Sequence, residues 1–132
     1  MDSKQLIGFL ILSATSGYTF AACTGAPLNQ PALTTLLPGK TVCASFGGEQ
    51  WQELHTGAGS LIDYKKGPVD PVDPSENVGS WSVSGNTVTY NYGSGGSYSY
   101  RIFDNGGTYS FCGISPAPTE IVATLQTASK CL

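Results

Sequence analysis

Between Lys40 and Thr127 apolar and polar residues alternate in short runs, and turn-forming residues interrupt the pattern every few positions. An alternation of period two is the signature of half-buried β-strands. It predicts eight of them, over 40–46, 49–55, 60–66, 78–84, 87–92, 98–103, 108–113 and 120–127. Gly85-Asn86 and Asn105-Gly106 read as two-residue hairpin loops, since Gly and Asn tolerate the positive φ that primed turns require. Across the first, Val83 is expected to face Val88 and Trp81 to face Tyr90. Across the second, Ile102 should face Tyr109 and Tyr100 should face Phe111. In both hairpins one face is aromatic or aliphatic and the other is small and polar. The predicted inner set is Val42, Ala44, Phe46, Trp81, Val83, Val88, Tyr90, Tyr92, Tyr98, Tyr100, Ile102, Tyr109 and Phe111.

The hairpin over 49–66 fits this scheme less well. With a loop at Thr56-Gly57-Ala58-Gly59, Trp51 faces Tyr64, Glu53 faces Ile62 and His55 faces Ser60, leaving a Leu54–Leu61 pair on the other side. The first face is the more apolar and is expected to point inward. It carries Glu53 and His55 inside with Trp51 and Tyr64, a local conflict of the kind that concentrates at functional sites.

Outside the strands, Gln30 to Gly39 predicts a short helix over 31–37, with Pro31 in the first turn and Pro38-Gly39 as the stop. A Pro-rich loop over 67–77 is the one long connection. The expected fold is all-β: an antiparallel up-and-down meander of about eight strands closing into a small barrel, with a two-sheet β-sandwich as the alternative. A barrel of this size either fills with side chains or holds one small ligand.

The N-terminus has a different pattern. Lys4 precedes the apolar run Leu6–Leu12, and small residues follow up to Ala21-Ala22. This is the layout of a signal peptide over 1–22, which leaves a single domain over 23–132 exported to the periplasm or secreted outside the cell. The apolar run is shorter than the roughly 20 residues that span a bilayer, so no transmembrane span is expected in the mature chain. Phe20-Ala21-Ala22-Cys23 also resembles the bacterial lipoprotein signal, which makes Cys23 either a lipid anchor or half of a cystine.

Composition removes some functions. Charged residues are 11% of the chain and the net charge is −3, so the clustered basic residues that nucleic acid demands are missing. Four cysteines, Cys23, Cys43, Cys112 and Cys131, predict two disulfides in an exported chain, and no C-x-x-C pair points to zinc or redox chemistry. Four cysteines leave three connectivities. The meander places Cys43 near the end where the last strand finishes, close to Cys131, which favours Cys43–Cys131 with Cys23–Cys112.

Candidate chemistry is sparse. His55 is the only histidine, the serines occupy no nucleophile elbow, and the glycine runs join strands rather than open helices. Neither an enzyme, a cofactor nor a metal site is expected. Asp70, Asp73 and Glu76 lack the ligand spacing of calcium loops and read as solvated turn acids. What remains for ligand binding is Trp51, Glu53, His55, Tyr64, Tyr90 and Tyr100, where aromatic walls meet a few polar groups.

The strand arithmetic resembles the calycin type of barrel, which includes lipocalins and avidin. Gly79-Ser80-Trp81 is similar to the Gly-x-Trp signature of lipocalins, although in that family the motif lies on the first strand and here it is mid-chain. The segment 40–112 also resembles bacterial exported proteins without an assigned function. These likenesses imply a fold and carry over no site residue. Two functions follow as expectations: binding of a small apolar or aromatic ligand at the barrel mouth, or a structural or protein-interaction domain with a filled core. The partner is accordingly an unknown small molecule or protein.

Overall fold

In the computed structural model of the chain, residues 23–46, 49–63, 76–128 and 131 are described, with the backbone alone for Phe46, Glu49 and Gln50. The signal peptide expected over 1–22, Tyr64 and most of the Pro-rich loop lie outside them. One helix, α1 (Gln30–Leu36), precedes eight strands: β1 (Thr41–Phe46), β2 (Glu49–His55), β3 (Ser60–Asp63), β4 (Glu76–Ser84), β5 (Thr87–Asn91), β6 (Ser97–Asp104), β7 (Tyr109–Ser115) and β8 (Glu120–Gln126). Each strand pairs antiparallel with the next, and β1 pairs with β8, so the sheet closes into a barrel in sequence order. The sandwich alternative is thereby replaced by the closed meander.

The registers show where alternation alone is sufficient and where turn chemistry decides. Trp81 pairs with Tyr90 and Val83 with Val88, as expected around Gly85, whose φ of 60° suits the tight turn. In β6–β7 the expected pairs are displaced by two residues: Ile102 pairs with Phe111, Tyr100 with Gly113, and Asp104 with Tyr109. The loop is Asn105–Thr108, closed by Asn105 N–H on the Thr108 carbonyl at 2.9 Å. Asp104 Oδ1 accepts from Gly106 N–H at 2.8 Å. A two-residue shift preserves the face of every side chain, so the inward residues of β6 and β7 keep their face; Phe46 of the expected inner set has its side chain outside the described part.

In β2–β3 the shift is one residue, and it reverses β3. His55 pairs with Leu61, Leu54 with Ile62, and Glu53 with Asp63. Thr56 and Ser60 close a three-residue loop through Thr56 N–H on the Ser60 carbonyl (3.0 Å) and Ser60 N–H on Thr56 Oγ1 (2.9 Å). Thr56 therefore belongs to the ladder rather than to the loop, and Leu61, fully buried, replaces Ile62 on the inner face. A further correction concerns Glu76 and Asn77. The loop expected over 67–77 includes them, but they pair with Asp63 and Ile62, which lengthens β4.

The two ends of the barrel differ. At one end lie the 56–60 and 85–86 turns, the 105–108 loop, and α1. The helix starts on an Asn29 cap whose side chain accepts from Ala32 N–H at 3.1 Å. Gln30 Oε1 accepts from Gly85 N–H at 3.0 Å, which ties α1 to the β4–β5 turn. Leu33 and Leu37 are fully buried in the cluster that holds Leu61, Val88 and Ile102, so α1 plugs this end. Leu33 sits where a capped helix of helical spacing presents its one apolar stripe.

Both expected disulfides are present: Cys23–Cys112, with Cα atoms 6.0 Å apart, and Cys43–Cys131, at 5.8 Å. Cys43 and Cys112 alternate with inward residues on β1 and β7, so each bridge ties a tail to the outside of the barrel. The Cys23 sulfur is committed to Cys112, and a sulfur so bonded has no valence left for a thioether lipid. The lipid-anchor expectation at Cys23 gives way to the cystine. Two disulfides suit an oxidising compartment. Among the described residues no helix is long and apolar enough to cross a membrane.

Candidate functional site

The lumen is built from β-strand alternation. Every second residue of β2, β5, β6 and β7 points inward, and these strands supply a row of aromatic rings. His55, 1% exposed, stands edge-on to Trp81 (centroids 5.1 Å) and to Tyr90 (5.3 Å). Tyr90 contacts Tyr100 at 5.8 Å, and Tyr100 contacts Phe111 at 6.2 Å. Such tilted and T-shaped pairs place positive ring edges against negative ring faces. The void left among these side chains is only about 20 Å³. The lumen is a filled core.

His55 is thus not at the mouth. It lies beneath the plugged end, where its backbone N–H donates to the Lys40 carbonyl at 2.9 Å and its carbonyl accepts from Gly39 N–H at 2.7 Å. Nε2 shares a 2.8 Å hydrogen bond with the Tyr90 hydroxyl, and Nδ1 has no hydrogen-bond partner among the described residues. Burial disfavours the imidazolium and lowers the His55 pKa to about 4. The backbone carbonyls of Glu53 and Lys40 oppose this only in part, neither making a well-formed bond to Nδ1. The ring is neutral at pH 7, a packing and hydrogen-bonding group.

Above this core, at the end opposite α1, a cavity of about 430 Å³ opens. That volume lies within the range of small-molecule sites. Its walls are Trp51, Tyr98, Tyr100 and Ile121 from the strands and Tyr92 just after β5, and its rim includes Pro116 and Ala117 of the β7–β8 connection. Gly113 makes the rim possible: its N–H donates to the Thr119 carbonyl at 2.7 Å, and a Cβ there would lie 2.6 Å from the Ala117 carbonyl oxygen. Tyr98 is fixed by its hydroxyl donating to the Gly95 carbonyl at 3.2 Å and by ring contact with Tyr92 at 5.9 Å.

Among the described residues one charged side chain lines this cavity, Glu53. Its Oε1 accepts a 2.7 Å hydrogen bond from the Tyr92 hydroxyl. Burial raises the Glu53 pKa above its ordinary value; the Tyr92 bond works against this and the nearby Asp63 charge adds to it. Burial also raises Tyr92, with the Glu53 charge next in weight, so the tyrosine keeps its proton and remains the donor.

Of the residues singled out in the sequence, Trp51, Glu53 and Tyr100 meet in the cavity. His55 and Tyr90 lie in the filled lumen below it. Tyr64 lies outside the described residues. Tyr92 is the addition: alternation put it inside, but its bond to Glu53 depends on how β2 and β5 face each other across the barrel, which no local pattern encodes. Among the described residues no group of His, Cys, Asp and Glu gathers to hold a metal ion. Compared with known proteins, the chain matches no family model, no curated protein and no solved structure.

Proposed function

We propose that this is an exported binding barrel that holds a small, largely apolar or aromatic ligand in the cavity opposite α1. The observation that carries the reading is the cavity itself: about 430 Å³, walled by four aromatic rings and an isoleucine, with a single charged group among the described residues. Ligand sites combine large apolar walls with few polar groups that set orientation. Because the lumen beneath is filled, the ligand would rest on a rigid floor made by Tyr100 and its neighbours. The resemblance of the strand order to calycin-type barrels supports the same reading, as does the pair of disulfides for export.

Native mass spectrometry of protein purified from its own host is expected to show a bound small molecule, and titration with a panel of aromatic ligands should change Trp51 fluorescence. Trp81, packed on His55 at the plugged end, is the internal control, so the change should vanish in Trp51→Phe. A host-purified protein without adduct, together with a silent panel, would overturn the proposal. The packed lumen favours a second reading, a structural or protein-interaction domain; that outcome would support it.

A further inference from the structure

Among the described residues the cavity's charge is of one sign. Tyr92 and Tyr98 already spend their hydroxyl protons on Glu53 and on the Gly95 carbonyl. Tyr100, Ser115 and Thr119 add neutral hydroxyls to the lining, and the one charged group among the described lining residues is the Glu53 carboxylate, an acceptor with lone pairs beyond the one that Tyr92 uses. Asp63 is its register partner on β3, and its charge is felt at Glu53. Among the described residues no Lys, Arg or His lines the cavity. Lys40 points away, to the Leu36 carbonyl at 3.2 Å. Arg101 is exposed and pairs in register with Cys112, an outward position.

Aromatic faces carry negative charge and attract cations, more strongly where water is displaced. A carboxylate that is costly to keep charged beside apolar walls regains that cost when a cation is bonded to it. A sugar, by contrast, needs several polar partners, and these walls are mostly carbon.

We infer that the ligand is an organic cation, a primary or secondary amine on an aromatic or alkyl body, its ammonium bonded to Glu53 and its body stacked among Trp51, Tyr92 and Tyr98. This inference rests on the binding reading above and specifies the ligand class.

Isothermal titration calorimetry of the disulfide-bonded protein at pH 7 tests it with three probes that share one ring system: tryptamine, indole-3-ethanol and indole-3-acetate. Tryptamine is expected to bind at least about tenfold more tightly than the alcohol, the scale of one charge-assisted bond, and the carboxylate should bind weakest. In Glu53→Gln, which retains an oxygen for Tyr92, the amine-to-alcohol ratio should fall to within about threefold. An alcohol or carboxylate that binds as well as the amine overturns the cation inference and leaves the cavity reading standing. A tenfold ratio that survives Glu53→Gln overturns it too. If no probe binds, both inferences fall.

Discussion

At the scale of single residues, His55 and Glu53 work against each other as pH falls. His55 has its pKa lowered in the folded state, so below about pH 6.5 the unfolded chain takes up a proton that the folded chain refuses. The shift from 6.5 to about 4 is worth about 3 kcal/mol; that stability is complete at pH 7 and is lost as pH falls towards 4. Glu53 has the opposite sign. Its raised pKa means the folded state protonates first, so this residue contributes stability as pH falls to its ordinary value of 4.5. Urea unfolding of Glu53→Gln should therefore show a steeper acid loss than the parent, because the His55 effect stands alone. His55→Gln, which can still bond the Tyr90 hydroxyl, should flatten the loss between pH 6.5 and 4. Equal slopes in all three proteins would count against the burial of both groups. Glycine supplies a second prediction at this scale. A Cβ on Gly79 would collide with the Asn91 carbonyl oxygen of the neighbouring strand. Gly79→Ala should cost about 1–3 kcal/mol, as overpacking does, measurable as a lower urea midpoint with m unchanged.

At the scale of elements, the plug is the test. Leu33 and Leu37 are both 0% exposed, and truncation of either to Ala should cost about 2–5 kcal/mol. Measured by chemical denaturation, a loss below about 1 kcal/mol would mean that the barrel end does not need its helix. The elements also show what could be read from the chain. Strand existence was legible almost throughout, because period-two alternation with β-branched and aromatic residues is a strong signal. The β4–β5 register was legible too, since Gly85-Asn86 admits one tight turn. The β2–β3 register was not: Gly57-Ala58-Gly59 fits a loop of three or four residues equally well, and only the Thr56–Ser60 hydrogen bonds choose between them. That choice put Leu61 in the core and Ile62 outside. The floor of the cavity was legible as a row of inward aromatics. The depth at which each ring sits was not, because it depends on strand stagger around the closed barrel. For the same reason His55, expected at the mouth, lies under the plug.

At the scale of the whole molecule, the two cystines close loops of 89 and 88 residues. Loops of that length correspond to about 4–5 kcal/mol each on the chain-entropy account, with about 2–5 kcal/mol usual for removing a native bridge. Each double variant, Cys23→Ser with Cys112→Ser or Cys43→Ser with Cys131→Ser, should therefore lower stability by about 2–5 kcal/mol. The intact mature protein should carry a mass four hydrogens below the reduced chain, with no lipid added; a thioether-linked diacylglycerol at Cys23 would exclude the first bridge.

The seam between β1 and β8 also sets the order of events during synthesis. Seven strands can pair as they emerge, but the first stays an unfinished edge until the last arrives, with Cys131 later still. Such a contact, spanning nearly the whole domain, pays its loop entropy before any reward. A chain passing through a translocation pore cannot finish folding before its final segment is through. In an exported chain, delayed closure would keep the polypeptide threadable during transport, and completion would coincide with arrival where thiols oxidise.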